Sequence, residues 1–174
     1  MNSPSDLSFL HYLARFVAHL PENGDKELSL LKCHLMIEEV LTIIIERHMV
    51  RPEFLQKAAR DGRDLRFQDK LLLAKCLTLS SEDDWIWKAI AALNAARNRL
   101  AHRLDRKEVD AKLEEFMNCV ERSVKEGPPP ADAFVGKMQR FQLCACRLFM
   151  ETVHRAEVDP SDIRIKDILG DRAT

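Results

Sequence analysis

Glycine and tyrosine are scarce in this chain, which contains five glycines and one tyrosine among its 174 residues. Runs of β-branched residues are also few, and leucine, alanine, glutamate, lysine and arginine dominate instead. Because these residue types favour helices, the composition predicts an all-α fold. A hydrophobic content of 46% also argues against disorder as the general state of the chain.

The chain has almost no excess of charge of either sign, because its 27 lysines and arginines are balanced by 28 aspartates and glutamates. A generic nucleic-acid-binding protein is normally basic, so the net charge of -1 disfavours that class but leaves room for a local basic patch. One patch contains Arg97, Arg99, Arg103 and Arg106. A second run alternates with aspartates and is interpreted as a solvated helix face; its members are Arg60, Arg63, Arg66 and Lys70.

Long apolar runs are absent as well. Segments such as 40–45 and 89–93 are far shorter than the roughly 20 residues that span a bilayer, so no membrane partner is predicted. The first six residues carry no basic side chain, so no signal peptide is predicted either. The odd number of cysteines and their apolar surroundings indicate reduced packing residues in a cytoplasmic protein, without a metal or cofactor. These cysteines are Cys33, Cys76, Cys119, Cys144 and Cys146.

Apolar residues at helical spacing predict a series of helices joined by short connections, which is the pattern of an antiparallel helical bundle. The predicted helices cover residues 6–20, 25–49, 53–60, 65–79, 81–104, 107–125 and 131–156. Gly127–Pro130 is the clearest linker. Residues 1–126 are therefore predicted to form the bundle. Residues 131–174 are predicted to add a C-terminal helix and tail, which either pack on the same domain or serve a partner chain.

Two charged residues interrupt the apolar stripes of the predicted helices. Arg97 falls on the stripe of helix 81–104, where a guanidinium group must be paired, lie at a rim or face a partner. Glu38 interrupts the stripe of helix 25–49 in the same way, so the two are predicted to form an ion pair. The stripe that Glu38 interrupts comprises Leu28, Leu31, Leu35, Leu41, Ile45 and Met49. Beside Arg97, Asn94, Asn98 and His102 form a polar line at four-residue spacing.

The segment 91–102, which reads AALNAARNRLAH, resembles the signature helix of the HEPN superfamily. Members of this superfamily are helical bundles marked by an arginine, a polar residue that is often asparagine, a short spacer and a histidine. The resemblance covers residues 25–125, with its sharp motif confined to segment 91–102. It implies a HEPN-type bundle with an additional C-terminal helix. It also implies a metal-independent endoribonuclease that is usually dimeric and acts as a toxin or defence effector.

The same resemblance implies roles for three residues. His102 would be the general acid and base that acts on the ribose 2′-hydroxyl or the leaving 5′-oxygen. Arg97 would stabilise the charge on the phosphate, and Asn98 would orient His102 or the phosphate. Cleavage would leave a 2′,3′-cyclic phosphate and a 5′-hydroxyl. Phosphate electrostatics, rather than the family, makes Arg99, Arg103 and Arg106 the predicted RNA-backbone contacts. The implied partners are RNA, a second copy of the chain and a neutralising protein.

Other interpretations stay open. An arginine followed by a histidine is a weak pattern on its own, and a second instance, Arg147 and His154, is interpreted as structural. One toxin class of the superfamily has a tyrosine two residues after the histidine, which its antitoxin modifies, but this chain has Leu104 there. The long helices and the Gly127–Pro130 linker also resemble mannitol operon repressors. The alternative function is therefore a non-catalytic regulator or interaction protein, and a plain helical scaffold is the third.

Overall fold

The computed structural model describes residues 16–21, 25–78, 84–101, 106–123 and 140–155. Within these ranges the regular structure is helical and contains no strand, so the all-α prediction is confirmed. The helices are α1 (Lys26–His48), α2 (Pro52–Arg60), α3 (Phe67–Leu77), α4 (Trp85–Ala101), α5 (Arg106–Ser123) and α6 (Arg140–Arg155). Residues 16–19 are also helical. The HEPN type of bundle stays a prediction.

Local sequence signals set several helix ends. The carboxylate of Asp25 caps α1 by accepting hydrogen bonds from the backbone N–H groups of Glu27 and Leu28, both at 3.0 Å. Pro52 begins α2, where the missing N–H of proline has no helical partner to lose. Gly62 follows α2 with a φ of +75°, a left-handed conformation that glycine adopts without a steric penalty. These ends agree with the predicted boundaries.

Helices α1, α3, α4, α5 and α6 share one hydrophobic core, whereas α2 contributes no buried residue to it. Helix α1 packs against α3, α4 and α6, while α5 packs against α4 and α6. Two aromatic pairs join distant parts of the chain: Phe16 stacks on Phe149 with ring centroids 4.7 Å apart, and Phe116 lies 5.6 Å from Phe141. The last helix of the described chain is therefore part of the same core as α1 and α5.

The face of α1 that enters the core differs from the predicted stripe. Leu41 and Ile45 are buried as predicted, but four other members of the stripe are exposed. These four are Leu28, Leu31, Leu35 and Met49. The face that does enter the core contains Leu30, Cys33, Ile37, Leu41 and Ile44. Because α1 carries apolar residues on more than one side, its periodicity did not identify the side on which the neighbouring helices pack.

Arg140 joins the start of α6 to α5 at the surface. Its Nε and Nη2 donate to the two carboxylate oxygens of Glu121 at 2.6 and 2.8 Å, and its Nη1 donates to Glu114 at 2.7 Å. The hydrogen bond from Arg140 lowers the pKa of Glu121. The planar fork of a guanidinium group suits the bidentate contact with Glu121, which a lysine cannot reproduce.

The cysteines of the described chain are free thiols. Cys33, Cys144 and Cys146 are buried, and burial raises the pKa of Cys144 and of Cys146 to about 12. Thiols that hold their protons so firmly are packing residues, as the sequence predicted. Cys76 is exposed instead. No helix within the described ranges combines the length and the apolar character needed to cross a membrane.

Candidate functional site

Arg97 and Asn98 lie near the C-terminal end of α4, where the helix reaches the surface. Ala96 is fully buried beside them, Arg97 is half-buried and Asn98 is exposed. The Nη1 of Arg97 donates a hydrogen bond to Oδ1 of Asn98 at 3.3 Å. Among the described residues Arg97 has no carboxylate within ion-pair distance. A guanidinium group has five N–H donors, so this bond leaves several of them open to an anion.

The predicted ion pair between Glu38 and Arg97 is wrong. The carboxylate of Glu38 binds the Nζ of Lys70 at 3.0 Å, and the same Nζ lies 3.3 Å from a carboxylate oxygen of Asp64. Lys70 is only 6% exposed, so its assignment to a solvated face is wrong as well. Arg63, like Arg60 and Arg66, is exposed as predicted. Packing of α3 against α1 brings Lys70 to Glu38, although 32 residues separate them in the chain.

Two carboxylates keep Lys70 charged despite its burial. Burial by itself lowers the pKa of a lysine, because the charged form loses water. The hydrogen bond and the negative charge of Glu38, followed by those of Asp64, outweigh this effect and leave the pKa of Lys70 raised. The three side chains therefore form an ionised group that links α1, α3 and the connection before α3.

His34 and Asn94 form a buried pair that the sequence analysis did not find. Nε2 of His34 lies 3.0 Å from Oδ1 of Asn94, which makes the imidazole the donor and the amide oxygen the acceptor. His34 is 4% exposed and Asn94 is 3% exposed. The imidazole also stacks on the ring of Phe67 with centroids 4.3 Å apart. The only sequence signal was the position of Asn94 on the polar line of α4, one turn before Asn98.

Several groups set the protonation of His34. Burial is the largest cause and lowers its pKa below the ordinary value of 6.5. The hydrogen bond to Asn94 and the charge of Glu38 oppose this shift, and the positive charge of Arg97 adds to it. Nδ1 of His34 lies 3.9 Å from Glu38, beyond hydrogen-bond distance. The net result is a neutral imidazole at neutral pH.

Of the other predicted site residues, the structure describes the side chain of Arg99 alone. Arg99 is half-exposed, and its Nη1 donates to Glu108 of α5 at 2.8 Å. This ion pair makes Arg99 a weaker anion-binding candidate than Arg97, because its charge is already compensated. The predictions for His102, Arg103 and the side chain of Arg106 lie outside the described residues. Arg147 binds Glu151 one turn later in α6, at 2.8 Å.

The described residues contain no group of three or more His, Cys, Asp or Glu side chains that could hold a metal ion. Comparisons with models of protein families, with curated proteins and with solved structures found no match to this chain. The resemblance of segment 91–102 to the HEPN signature therefore depends on the motif itself and on its helical setting.

Proposed function

We propose that this protein is a metal-independent endoribonuclease of HEPN type, acting as a toxin or defence effector. Arg97 binds the scissile phosphate, and Asn98 orients the phosphate or His102. His102 removes the proton of the ribose 2′-hydroxyl as that oxygen attacks phosphorus, and the protonated His102 then gives a proton to the leaving 5′-oxygen as its bond to phosphorus breaks. The 2′,3′-cyclic phosphate and the 5′-hydroxyl are the products.

One observation carries this proposal: the guanidinium group of Arg97 reaches the surface and is held by an amide rather than by a carboxylate of the described chain. Glu38, the carboxylate predicted to pair with Arg97, is bound by Lys70 instead. Arg97 thus contacts Asn98 with its charge uncompensated by a described neighbour. This is the state in which a guanidinium group can stabilise developing phosphate charge.

Incubation of a mixed RNA substrate with the purified protein in EDTA tests the proposal. We expect the wild type to cleave RNA and to leave cyclic-phosphate ends. His102→Ala is expected to abolish cleavage, and Arg97→Gln to reduce it by about 10²- to 10³-fold, as the loss of one charge-stabilising donor does elsewhere. Arg99→Gln is the matched control on the same helix, and because Arg99 is paired with Glu108 we expect only a few-fold change.

The alternative function is a non-catalytic regulator or interaction protein, and one observation favours it. Large apolar side chains are exposed on α1 and α3, among them Leu31, Leu35 and Leu72. If folded wild-type protein cleaves no RNA and His102→Ala leaves its behaviour unchanged, this second function replaces the first. A homodimer and a neutralising partner belong to the nuclease proposal, and sedimentation equilibrium of the purified chain tests the dimer directly.

A further inference from the structure

A buried layer of polar side chains lies directly beneath the Arg97–Asn98 site. Asn94 occupies α4 three and four residues before Arg97 and Asn98, a spacing that places all three on neighbouring parts of the helix surface. Asn94 is buried and faces α1, where Nε2 of His34 donates to it at 3.0 Å. Behind His34, Glu38 is held by Lys70. Asn94 therefore joins the end of α4 to α1, and Lys70 separately joins α3 to α1.

The hydrogen bond from His34 holds the side-chain amide of Asn94 toward α1. A buried amide that loses its donor turns toward the nearest polar group, because leaving it unsatisfied is costly. The polar side chains that follow Asn94 on its side of α4 are Arg97 and Asn98. A released Asn94 would compete with Asn98 for the guanidinium group of Arg97, whose 3.3 Å bond to Asn98 is long for a hydrogen bond.

We propose that His34 is a positioning residue of the Arg97–Asn98 site: by holding the Asn94 amide inside the bundle, it leaves the Arg97 guanidinium group bound to Asn98 and directed at the substrate phosphate. This inference depends on the proposed ribonuclease function for its substrate, but not for its geometry. His34 touches neither the phosphate nor the reacting atoms.

Groups from three helices face His34 and fit this role. Helix α1 contributes Glu38, whose carboxylate is taken by Lys70 and therefore does not withdraw the imidazole from Asn94. Helix α3 contributes the ring of Phe67, which stacks on the imidazole and fixes its plane. Helix α4 contributes Asn94 as the acceptor and Arg97 as a positive charge that disfavours a second proton on the ring.

Two substitutions of His34 separate the hydrogen bond from the shape of the side chain. His34→Gln keeps an N–H donor that can bind Asn94, whereas His34→Phe keeps a flat ring to stack on Phe67 but has no donor. Asn94→Ala removes the competing amide itself and gives an independent test in case His34→Phe fails to fold. His48→Phe, at an exposed histidine of the same helix, is the control. Circular dichroism checks that each variant is folded.

We expect His34→Phe to lower kcat for RNA cleavage about tenfold or more while changing KM less than about twofold, because misplacement of a phosphate-binding group acts on the transition state. Asn94→Ala should stay within about threefold of the wild type in kcat, because no amide is left to compete for Arg97. His34→Gln and His48→Phe should stay within about threefold of the wild type in kcat. A merely structural role would make His34→Gln as damaging as His34→Phe, so equal losses in these two variants overturn the proposal. Wild-type kcat in folded His34→Phe overturns it as well, and so does a tenfold loss of kcat in folded Asn94→Ala.

A second readout makes failure of this inference distinguishable from failure of the proposed function. NMR spectra of the labelled protein without RNA report the side-chain amide of Asn98 and the Nε–H of Arg97. We expect both signals to move in His34→Phe and to stay near their wild-type positions in His34→Gln. If the wild type cleaves no RNA but the signals behave in this way, the nuclease function fails and the positioning role stands. If the signals move equally in both variants, or in neither, the positioning role fails.

Discussion

His34, Glu38 and Lys70 are polar residues whose behaviour is set by neighbours distant in the sequence. Lys70 is buried yet charged, because Glu38 and Asp64 both lie within 3.3 Å of its Nζ. His34 is buried and neutral, because burial lowers its pKa and the positive charge of Arg97 adds to this effect. The buried charge of Lys70 is balanced by two carboxylates beside a neutral imidazole, so no uncompensated charge is buried here.

The stability of the folded protein should therefore depend on the proton of His34. Its pKa is lowered in the folded state, so the unfolded chain binds the proton first as the pH falls. Above pH 6.5, the ordinary pKa, both states are neutral and the contribution is fully present. As the pH falls below that value, the free energy of unfolding should decrease by up to about 1.4 kcal/mol per pH unit until the folded pKa is reached.

Urea unfolding from about pH 8 to about pH 5 measures this dependence. His34→Gln should flatten the curve relative to the wild type, since glutamine does not titrate. His48→Gln, at an exposed position of the same helix, should leave the curve unchanged. If the wild type and His34→Gln lose stability in parallel below pH 6.5, His34 is not the group responsible.

At the scale of elements, α6 illustrates two kinds of attachment. Its apolar side chains, such as Phe141 and Phe149, enter the shared core. Its first residue, Arg140, binds Glu114 and Glu121 of α5 across the surface. Burial of the aromatic rings supplies most of the stabilisation, because exposed ion pairs contribute little. The guanidinium fork instead fixes where the first turn of α6 lies along α5.

Arg140→Gln should loosen the first turn of α6 more than it destabilises the whole protein. Hydrogen exchange measured by mass spectrometry should show faster exchange for residues 141–145, with little change in α1 and a small change in the urea midpoint. Arg140→Lys keeps the charge but cannot bind both carboxylates bidentately, so it should lie between the wild type and Arg140→Gln. Unchanged exchange in Arg140→Gln would show that the apolar contacts alone fix this turn.

The described chain as a whole should unfold as one unit. Phe16 stacks on Phe149, and the same core contains Leu30 of α1, Leu93 of α4 and Phe116 of α5. With every long helix contributing to this core, there is no second hydrophobic core within the described ranges to unfold separately.

Phe149→Ala should therefore lower the free energy of unfolding by about 3–5 kcal/mol, because it opens a cavity in a core shared by several helices. Phe54→Ala is the matched control: Phe54 is 58% exposed on α2, and its loss should cost less than about 0.5 kcal/mol. Urea unfolding followed by circular dichroism and by tryptophan fluorescence should give coincident transitions for both variants. Separate transitions in Phe149→Ala would show that α6 is a distinct folding unit.

Local sequence signals were enough to predict which of the described segments are helical. The Asp25 cap, Pro52 and Gly62 act within one turn of their own positions, so they could be identified from local chemistry alone. The helical setting of Arg97 and Asn98 followed from periodicity in the same way. Helical periodicity also fixes the angle between two side chains on one helix. The polar line of Asn94, Asn98 and His102 could therefore be predicted from their four-residue spacing.

The packing of the helices against one another set which side of each helix is buried and which charged side chains form ion pairs. Periodicity gives angles relative to the helix axis but not the direction of the neighbouring helix, so Leu31 and Leu35 were assigned to the core when they lie at the surface. Glu38 binds Lys70 rather than Arg97 because α3 packs against α1. That exchange of partners left Arg97 without a carboxylate among the described residues, and this is the feature on which the proposed site depends.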